Sequence, residues 1–314
     1  MKAALLSFAL VIGWAMEALA APCPCSDFFV GDATAFIAEG IARDGDRIFV
    51  ASVAGRRIVA VQNGRMRNFV QLPGAYSPFG IAVSGRKLWV TAAVVAQGAG
   101  HDGPSALLAF DLRGKLVGTY PVPDEGRHVL GDLAIGTDGT AYLSDGLDGS
   151  IYILASGGSG LKRLGARKLF KSPQGMVLSP DGKSLLVMDY ARGPAKLDLA
   201  SATVSLLKTP DGINVKGIDG LARLSDGRFL ASQNGTKEPH LLRLMLSPDW
   251  SELLSSEVVA ADDPAIDDPS LVLADGNGAY VVGVSQWASF GATQIPIKPL
   301  QPWRIVNLTL DLRN

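Results

Sequence analysis

The chain has 314 residues, of which 19% are charged and 47% hydrophobic, and its formal net charge is −1. Because a near-neutral chain gains little by neutralising phosphates, this composition argues against a nucleic-acid partner. The 36 glycines are typical of a tightly packed domain with many turns.

The first segment in chain order has the pattern of a secretory signal peptide. Lys2 precedes an uncharged run over residues 3–16, and Glu17 is followed by Ala18-Leu19-Ala20, a small-x-small cleavage pattern. The run has about 14 residues, whereas a membrane-spanning helix needs roughly 20, so a membrane anchor is the weaker alternative. We therefore predict a signal peptide over residues 1–20, a secreted or periplasmic protein, and no membrane association after cleavage.

Two cysteines, Cys23 and Cys25, follow this segment and are one residue apart. A lipoprotein would use one of them as the acylated residue, but a proline precedes each, where a small residue is expected. A disulfide between such close neighbours is strained. The sequence therefore predicts a flexible N-terminal tail here, rather than a disulfide framework or a metal or redox site.

A pattern recurs six times along the rest of the chain, at intervals of about 40 to 52 residues. Each copy opens on a pair of residues of which at least one is small or acidic, followed by an apolar stretch, a turn near Asp-Gly (Ser-Gly in the second copy), and a second stretch rich in large apolar residues. Asp-Gly tolerates the positive φ angles of tight hairpins, so each copy is predicted to be a β-hairpin. The copies are EGIARDGDRIFVAS from Glu39, FGIAVSGRKLWVTA from Phe79, GDLAIGTDGTAYLSD from Gly131, QGMVLSPDGKSLLVMD from Gln174, DGLARLSDGRFLASQ from Asp219 and PSLVLADGNGAYVVG from Pro269.

Further strand-like runs lie between the copies, which gives four strands per repeat, the content of a propeller blade. The sequence predicts an all-β fold, a six-bladed β-propeller that forms a single domain over residues 21–314. After the sixth copy only one more strand follows, WRIVNLTLDL, while DFFVGDATAF near the N-terminus has no blade of its own. We therefore predict that the N-terminal strand joins the last blade and closes the ring.

In a propeller the first strand of every blade lines the central channel, so the first residues of the six repeats meet at one channel mouth. The last residues of the second strands return to the same mouth. The candidates among these are Ser52, Asp145, Asp189, Gln233 or Asn234, and Ser285 or Gln286.

Carboxylate and amide oxygens that converge on one opening are the ligands that a hard cation such as calcium selects. The alternative is that an acid beside a turn only accepts hydrogen bonds from turn amides. The ring geometry favours the metal for Glu39 and Asp219, which would otherwise repel each other. For Asp145 and Asp189 a metal is not favoured, because polar residues that end a strand often only face solvent.

The pattern resembles the senescence marker protein and gluconolactonase family, which includes regucalcin. The residues that carry the resemblance are Glu39-Gly40-Ile41, Gln174-Gly175-Met176, Ser179-Pro180-Asp181-Gly182-Lys183, Met188-Asp189 and Asp219-Gly220-Leu221. The resemblance implies a six-bladed propeller with one divalent cation in its channel, held by a Glu in blade one, an Asn in blade four and an Asp in blade five. Carried over, these ligands are Glu39, Gln174 and Asp219, and the expected ion is calcium.

Two positions depart from the family pattern. Gln174 replaces an Asn, which keeps the carbonyl oxygen but adds a methylene group. Gly131 replaces the blade-three Asn that contacts substrate or metal, and the next residue, Asp132, points out of phase unless the strand is shifted. The resemblance implies that the cation polarises a lactone or ester carbonyl, with Asp219 as ligand and general base. His128, Asp132 and Asn234 are the predicted substrate contacts.

Other catalytic motifs are missing from the sequence. The chain has neither a G-x-S-x-G elbow nor an H-E-x-x-H motif, which argues against a serine hydrolase and a zincin. Two functions remain. The first is an exported, monomeric metal-dependent hydrolase of a small-molecule lactone or ester, and the second is a non-catalytic periplasmic propeller that binds a ligand or a protein.

Overall fold

The computed structural model describes residues 23–95, 103–276, 278–290 and 296–310. Six four-stranded antiparallel sheets make up the described chain. The strands are numbered here in chain order. The first strand, β1 (Cys25–Val30), belongs to the last blade. Blade one contains β2 (Ala38–Asp44), β3 (Arg47–Ser52), β4 (Arg57–Gln62) and β5 (Arg65–Gln71). Blade two contains β6 (Tyr76–Ser84), β7 (Lys87–Val94), β8 (Ser105–Asp111) and β9 (Leu116–Pro121).

The remaining four blades follow the same plan. Blade three contains β10 (Leu130–Ile135), β11 (Ala141–Asp145), β12 (Ser150–Leu154) and β13 (Lys162–Leu164). Blade four contains β14 (Pro173–Leu178), β15 (Ser184–Asp189), β16 (Gly193–Asp198) and β17 (Val204–Leu206). Blade five contains β18 (Ile218–Arg223), β19 (Phe229–Gln233), β20 (His240–Leu246) and β21 (Leu253–Ala261). Blade six contains β22 (Val272–Asp275), β23 (Gly278–Val284), β24 (Arg304–Thr309) and β1.

The six repeats of the sequence are the six inner hairpins, so the predicted six-bladed propeller is confirmed. The hairpin turns form where glycine supplies a positive φ, as at Gly45 (62°) and Gly182 (69°). The apolar faces of neighbouring blades pack against each other: Ile48, Val50 and Val59 of blade one contact the inner face of blade six. Two short 3₁₀ helices, Pro264–Ile266 and Trp287–Ser289, lie in loops of the last two blades.

The ring is closed as predicted, because β1 is the outermost strand of blade six and pairs with β24 from Cys25↔Leu308 to Val30↔Arg304. The closure is reinforced by Trp303, which is 1% exposed and stacks on Phe36 with 4.2 Å between ring centroids. A sheet edge that would otherwise be open is thereby paired within the chain.

The expectation for the two cysteines is wrong. Cys23 and Cys25 form a disulfide, and Cys25 is the first residue of β1. Both cysteines pack against the buried cluster that contains Ala260 and Leu308. Because strand pairing fixes Cys25 onto β24 and the disulfide ties Cys23 to it, this segment is not a flexible tail. The predicted signal peptide, residues 1–20, lies outside the described residues.

The pairing between the first and second strands of a blade contains a β-bulge, and the bulges of different blades lie at the same level of the channel. In blades one to five the antiparallel pairing between the first and second strands is irregular between the pairs Ala38/Ile41, Pro78/Ile81, Leu130/Leu133, Pro173/Met176 and Ile218/Leu221. The two residues inside each bulge are unpaired, which lets the strand turn a side chain towards the channel. In four of these five blades the second of the two is glycine.

The glycines are required because neighbouring inner strands approach closely here. A Cβ on Gly40 would lie 2.2 Å from the carbonyl oxygen of Phe79, and one on Gly175 would lie 2.6 Å from that of Asp219. The channel is therefore narrow at this level, and a wider mouth opens above it. Among the described residues there is no helix with the length and hydropathy that a membrane crossing requires.

Candidate functional site

A cavity of about 570 Å³ occupies the channel mouth formed by the starts of the inner strands. It brings together four carboxylates, two amides, a serine, a tyrosine and several apolar residues from all six blades. The lining residues are Glu39, Phe79, Val129, Gly131, Asp132, Gly146, Leu147, Ser172, Gln174, Tyr190, Asp219, Asn234, Asp268, Leu271, Trp287 and Ala288. Five of the six predicted ring residues are in this set. The sixth, Pro269, is not, and blade six contributes Asp268 and Leu271 instead.

Glu39 is held by two donors from blade six. The Ser270 hydroxyl donates to its Oε2 at 2.8 Å, and the indole N–H of Trp287 donates to the same oxygen. Among the described residues no donor reaches the other oxygen, Oε1. Glu39 is buried, at 8% exposed. The two bonds to Oε2 fix the orientation of its carboxylate, and Oε1 has no described hydrogen bond.

Asp219 is oriented in a similar way by Asn234. The Asn234 amide donates to Asp219 Oδ2 at 2.9 Å and to the carbonyl oxygen of Pro269 at 3.0 Å. The Asn234 carbonyl oxygen accepts from the hydroxyl of Tyr190 at 3.0 Å. Asn234 was predicted to contact substrate, and the structure places it in the cavity lining, where all its described hydrogen bonds go to protein groups.

Gln174 completes the set predicted to bind metal. Its Nε2 donates to the Ser172 hydroxyl at 3.2 Å, and no donor reaches its Oε1 within the described chain. The side chain lies over the small residues of blade three: a Cβ on Gly131 would be 3.4 Å from Gln174 Oε1, and one on Gly146 would be 3.0 Å from its Nε2. The space left by the missing blade-three side chain is therefore partly filled by the longer amide.

The three predicted ligands fit a hard divalent cation by their chemistry. Each offers one oxygen free of described hydrogen bonds, while its other polar atom is anchored, and oxygen ligands of this kind suit calcium. Asp268 is less free, since its Oδ2 accepts from the Ser285 hydroxyl at 2.7 Å and from the Ala288 amide at 3.2 Å. The described acids Glu39, Asp219 and Asp268 do not bring oxygens all within 4.8 Å of one another. An ion would have to draw its ligands closer together.

Asp132 lies in the cavity lining despite its apparent phase in the sequence. The bulge between Leu130 and Leu133 turns it towards the channel, and it occupies the level at which other blades have glycine. The Met176 amide donates to its Oδ2 at 3.2 Å. Its carboxyl also lines a second, smaller cavity below, which is otherwise mostly apolar. Asp132 therefore forms part of the floor of the mouth, and its predicted contact with substrate stays a prediction.

His128 is placed differently from the other predicted substrate contacts. Its side chain is 4% exposed, and its Nδ1 lies 2.6 Å from Asp145 Oδ2. It is not among the residues that line the cavity. Asp145 also accepts hydrogen bonds from the amides of Val129, Leu147 and Asp148. His128 and Asp145 thus form a buried support beneath the mouth rather than part of its wall.

The expectation that Asp145 and Asp189 face solvent is wrong, since they are 0% and 1% exposed and accept hydrogen bonds from turn amides. Asp189 accepts hydrogen bonds from the amides of Lys171, Ser172, Ala191 and Arg192. Neither carboxylate is in the cavity lining. His128, Asp145 and Asp148 do bring possible ligand atoms within 4.8 Å of one another. Their carboxylate oxygens are already bonded, however, since Asp148 accepts from Arg167 at 2.9 Å and from Ser150 at 2.6 Å.

Three carboxyl groups of the mouth, those of Glu39, Asp132 and Asp219, have raised pKa values, chiefly because they are buried. Burial, followed by the negative charge of Asp219, raises the pKa of Glu39, although its bonds to Trp287 and Ser270 oppose the shift. Burial likewise raises the pKa of Asp219, and the charge of Asp268 adds to it. For Asp132, burial raises the pKa to about 7 from a model-peptide value near 3.8. The three carboxyls therefore oppose full ionisation at neutral pH.

These shifts predict how the stability of the metal-free protein depends on pH. A carboxyl with a raised pKa keeps its proton in the folded state after the unfolded state has lost it, so stability falls as pH rises between the two values. For Asp132 that window extends from about pH 4 to about pH 7. In chelator we expect the melting temperature to fall by about 5 °C or more from about pH 5 to about pH 8. Thermal melts of wild type and Asp132→Asn test this, because the variant should show a shallower fall; a flat or rising wild-type profile contradicts it.

No family model matches the chain, and no curated protein matches it. Solved structures do. A gluconolactonase from Xanthomonas campestris superposes with a TM-score of 0.60 at 16% identity, over 94% of this chain and 98% of that one. A virginiamycin B lyase from Staphylococcus aureus gives a TM-score of 0.62 at 13% identity, over 90% and 98%. A luciferin-regenerating enzyme gives 0.60 at 15% identity, over 90% and 95%.

At these identities the likeness establishes the fold. It is the fold that the sequence resemblance implies, and the solved structures that share it include a gluconolactonase. The three proteins are named for different activities, so the shared fold leaves the chemistry to the residues of this chain.

Sequence reasoning did not identify four residues that shape the mouth: Tyr190, Asp268, Ser270 and Trp287. Asp268 could have been identified from the sequence, because it immediately precedes the first residue of the sixth repeat. Trp287 begins a 3₁₀ helix in the loop after β23, and no repeat unit covers that loop. Its contact with Glu39 joins residues 248 positions apart, which only the closed ring makes possible.

Proposed function

We propose that the protein is an exported metal-dependent hydrolase that acts on a small lactone or ester, with calcium bound in the channel mouth. One observation carries the proposal: Glu39, Gln174 and Asp219 each present an oxygen without a described hydrogen-bond donor, while their other polar atoms are held in place. Oxygens of this kind, on side chains from blades one, four and five that are held by their other polar atoms, are the ligands that a hard cation takes.

A divalent cation held by these residues supplies Lewis-acid activation of a carbonyl and of water. In the proposed reaction, water attacks the carbonyl carbon of the lactone or ester and the acyl C–O bond breaks. Asp219 accepts the proton from water and returns it to the leaving alkoxide oxygen, which leaves a hydroxy acid or an acid and an alcohol. Asn234 keeps the Asp219 carboxylate in the orientation that this transfer requires.

The charge of the mouth supports a neutral substrate. The described lining contains four carboxylates, Glu39, Asp132, Asp219 and Asp268, and neither lysine nor arginine. An uncharged lactone or ester can approach this surface, whereas its carboxylate product is repelled by Asp132 and Asp268 even when the other two acids are bound to a cation. The electrostatics therefore favour product release.

The test combines a binding assay with a substrate panel. A ligand that binds only the folded state stabilises it by mass action, so calcium at about 100 times its dissociation constant should add about 2.7 kcal/mol, or roughly 5 to 10 °C in melting temperature. Lactones, aryl esters and organophosphates assayed with calcium, manganese, magnesium and zinc should then show hydrolysis that chelator abolishes. If calcium leaves the melting temperature unchanged and the whole panel is inert, the proposal fails.

The second candidate is a non-catalytic propeller that binds a ligand or a protein in the periplasm. The observation that favours it is Gly131, since this position supplies no side chain to substrate or ion. A calcium-induced rise in melting temperature without turnover of any substrate would favour this candidate. In either case we propose a monomer that is secreted or periplasmic after loss of residues 1–20.

A further inference from the structure

We infer that the mouth selects a lactone or ester with an apolar alkyl or aryl substituent, and that it discriminates against polyhydroxylated sugar lactones. This inference rests on the proposed hydrolase function. It concerns four large apolar residues of the cavity lining, Phe79, Val129, Leu147 and Trp287, which we call the apolar wall.

Three residues of the apolar wall are packed together. Phe79 and Trp287 lie with their rings nearly parallel, 17° apart, and their centroids are 6.5 Å from each other. Val129 and Trp287 pack on the buried cluster that contains Phe79 and Phe290. Leu147, by contrast, is 40% exposed although it is a large apolar residue. An exposed leucine in a concave site whose lining also contains two aromatic rings is a surface that an apolar group can cover.

The blade-three part of the apolar wall is held by a buried polar support. Asp145 accepts hydrogen bonds from the amides of both Val129 and Leu147, and His128 binds the other oxygen of the same carboxylate. These bonds fix the loop before β10 and the turn after β11, which carry the two apolar side chains. His128 and Asp145 are therefore positioning residues for the apolar wall.

The polar side chains of the mouth offer little to a substrate with many hydroxyl groups. The Asn234 amide donates to Asp219 and Pro269, and its carbonyl oxygen is taken by Tyr190. The Ser172 hydroxyl donates to the Gly146 carbonyl oxygen at 3.3 Å and accepts from Gln174. The side-chain donors of the described lining are thus already bonded within the protein. A sugar hydroxyl could still donate to Asp132 or Asp268, but its oxygen would find no free side-chain donor among the described lining residues, which disfavours a substrate with many hydroxyl groups.

The test compares three δ-lactones that share one ring. δ-Gluconolactone carries hydroxyl groups, δ-decalactone carries a pentyl chain, and δ-valerolactone carries neither. With calcium present, we expect kcat/KM for δ-decalactone to exceed that for δ-gluconolactone at least about tenfold, since several methylene groups are buried. We expect Leu147→Asn to lower kcat/KM for δ-decalactone at least about fivefold more than for δ-valerolactone.

The control is Leu254→Asn, which makes the same change at a leucine that is 47% exposed on β21, outside the cavity. It should leave the ratio of the two kcat/KM values as in wild type. A wild-type preference for δ-gluconolactone, or an equal effect of Leu147→Asn on both lactones, overturns the inference while the hydrolase stands. Failure of the wild type to hydrolyse any lactone or ester overturns the proposed function, and this inference with it.

Discussion

Replacing Glu39 by glutamine is expected to abolish calcium binding and hydrolysis, and at the same time to raise the melting temperature of the metal-free protein. The glutamine side chain keeps an oxygen that can accept from Ser270 and Trp287, so the local packing is retained. The substitution removes a buried carboxylate whose charge is opposed by burial and by Asp219. The Glu39 carboxylate thus destabilises the metal-free protein and is also a ligand of the proposed calcium ion.

The two effects have opposite signs in two measurements on one variant. Differential scanning calorimetry at about pH 8 in chelator should show Glu39→Gln melting several degrees above wild type, because one pKa unit corresponds to about 1.4 kcal/mol. Isothermal titration with calcium should show binding weakened at least about 100-fold, a loss of about 2.7 kcal/mol. Asp219→Asn should behave in the same way, since an asparagine at this position can still accept from Asn234.

Glu257→Gln is the matched control, because Glu257 lies on β21 and pairs with Arg243 at 2.6 Å, away from the mouth. It should leave calcium affinity unchanged. If Glu39→Gln retained stoichiometric calcium with wild-type affinity, the proposed calcium site would be wrong. If the variant melted below wild type in chelator, the electrostatic account of the empty mouth would be wrong as well.

The fold was predictable from the sequence because its determinants are local. Each inner hairpin has two apolar stretches that flank a turn near Asp-Gly or Ser-Gly, and this pattern occurs six times in the sequence. The closure by β1 followed from counting strands, since WRIVNLTLDL left the last blade one strand short. Counting strands does not reveal the disulfide between Cys23 and Cys25, which lies at the start of the closing strand.

The site was predictable only in part, because acids that look alike in sequence lie in two environments. Glu39 and Asp219 begin inner strands within a bulge, where the backbone is unpaired and the side chains face the cavity. Asp145 and Asp189 end the second strands, where free turn amides surround them. Position in the repeat therefore separates candidate ligands from turn caps. Asp132 escaped this rule because its direction depends on the bulge, which alternation alone does not reveal.

The two groups of acids also have different roles at the mouth. Glu39 and Asp219 provide the oxygen side, while Asp145, supported by His128, orders the loops that carry Val129 and Leu147. From the sequence, His128 was predicted to contact substrate. In the structure its contact with Asp145 makes it part of the support for the apolar wall.

Deletion of β1 is expected to have the largest effect on stability. A chain that begins at Gly31 loses every pair between β1 and β24, the contact of Phe28 with Tyr280 at 5.0 Å, and that of Phe29 with Trp303 at 5.2 Å. Both aromatic side chains are only partly buried, so their burial contributes less than the roughly 3 to 6 kcal/mol of two fully buried ones. We expect the melting temperature to fall by about 10 °C or more, and the exposed edge of β24 to promote aggregation.

The control is a chain that begins at Cys23 and keeps the whole closing strand. Thermal melts and light scattering of the two proteins at equal concentration measure the effect, and a synthetic peptide of residues 23–31 supplied in excess should restore part of the lost stability by strand addition. A truncated protein that melts within about 2 °C of the control and stays monomeric would show that the ring does not depend on β1. Because Glu39 receives its hydrogen bonds from blade six, we also expect the opened ring to bind calcium more weakly than the control.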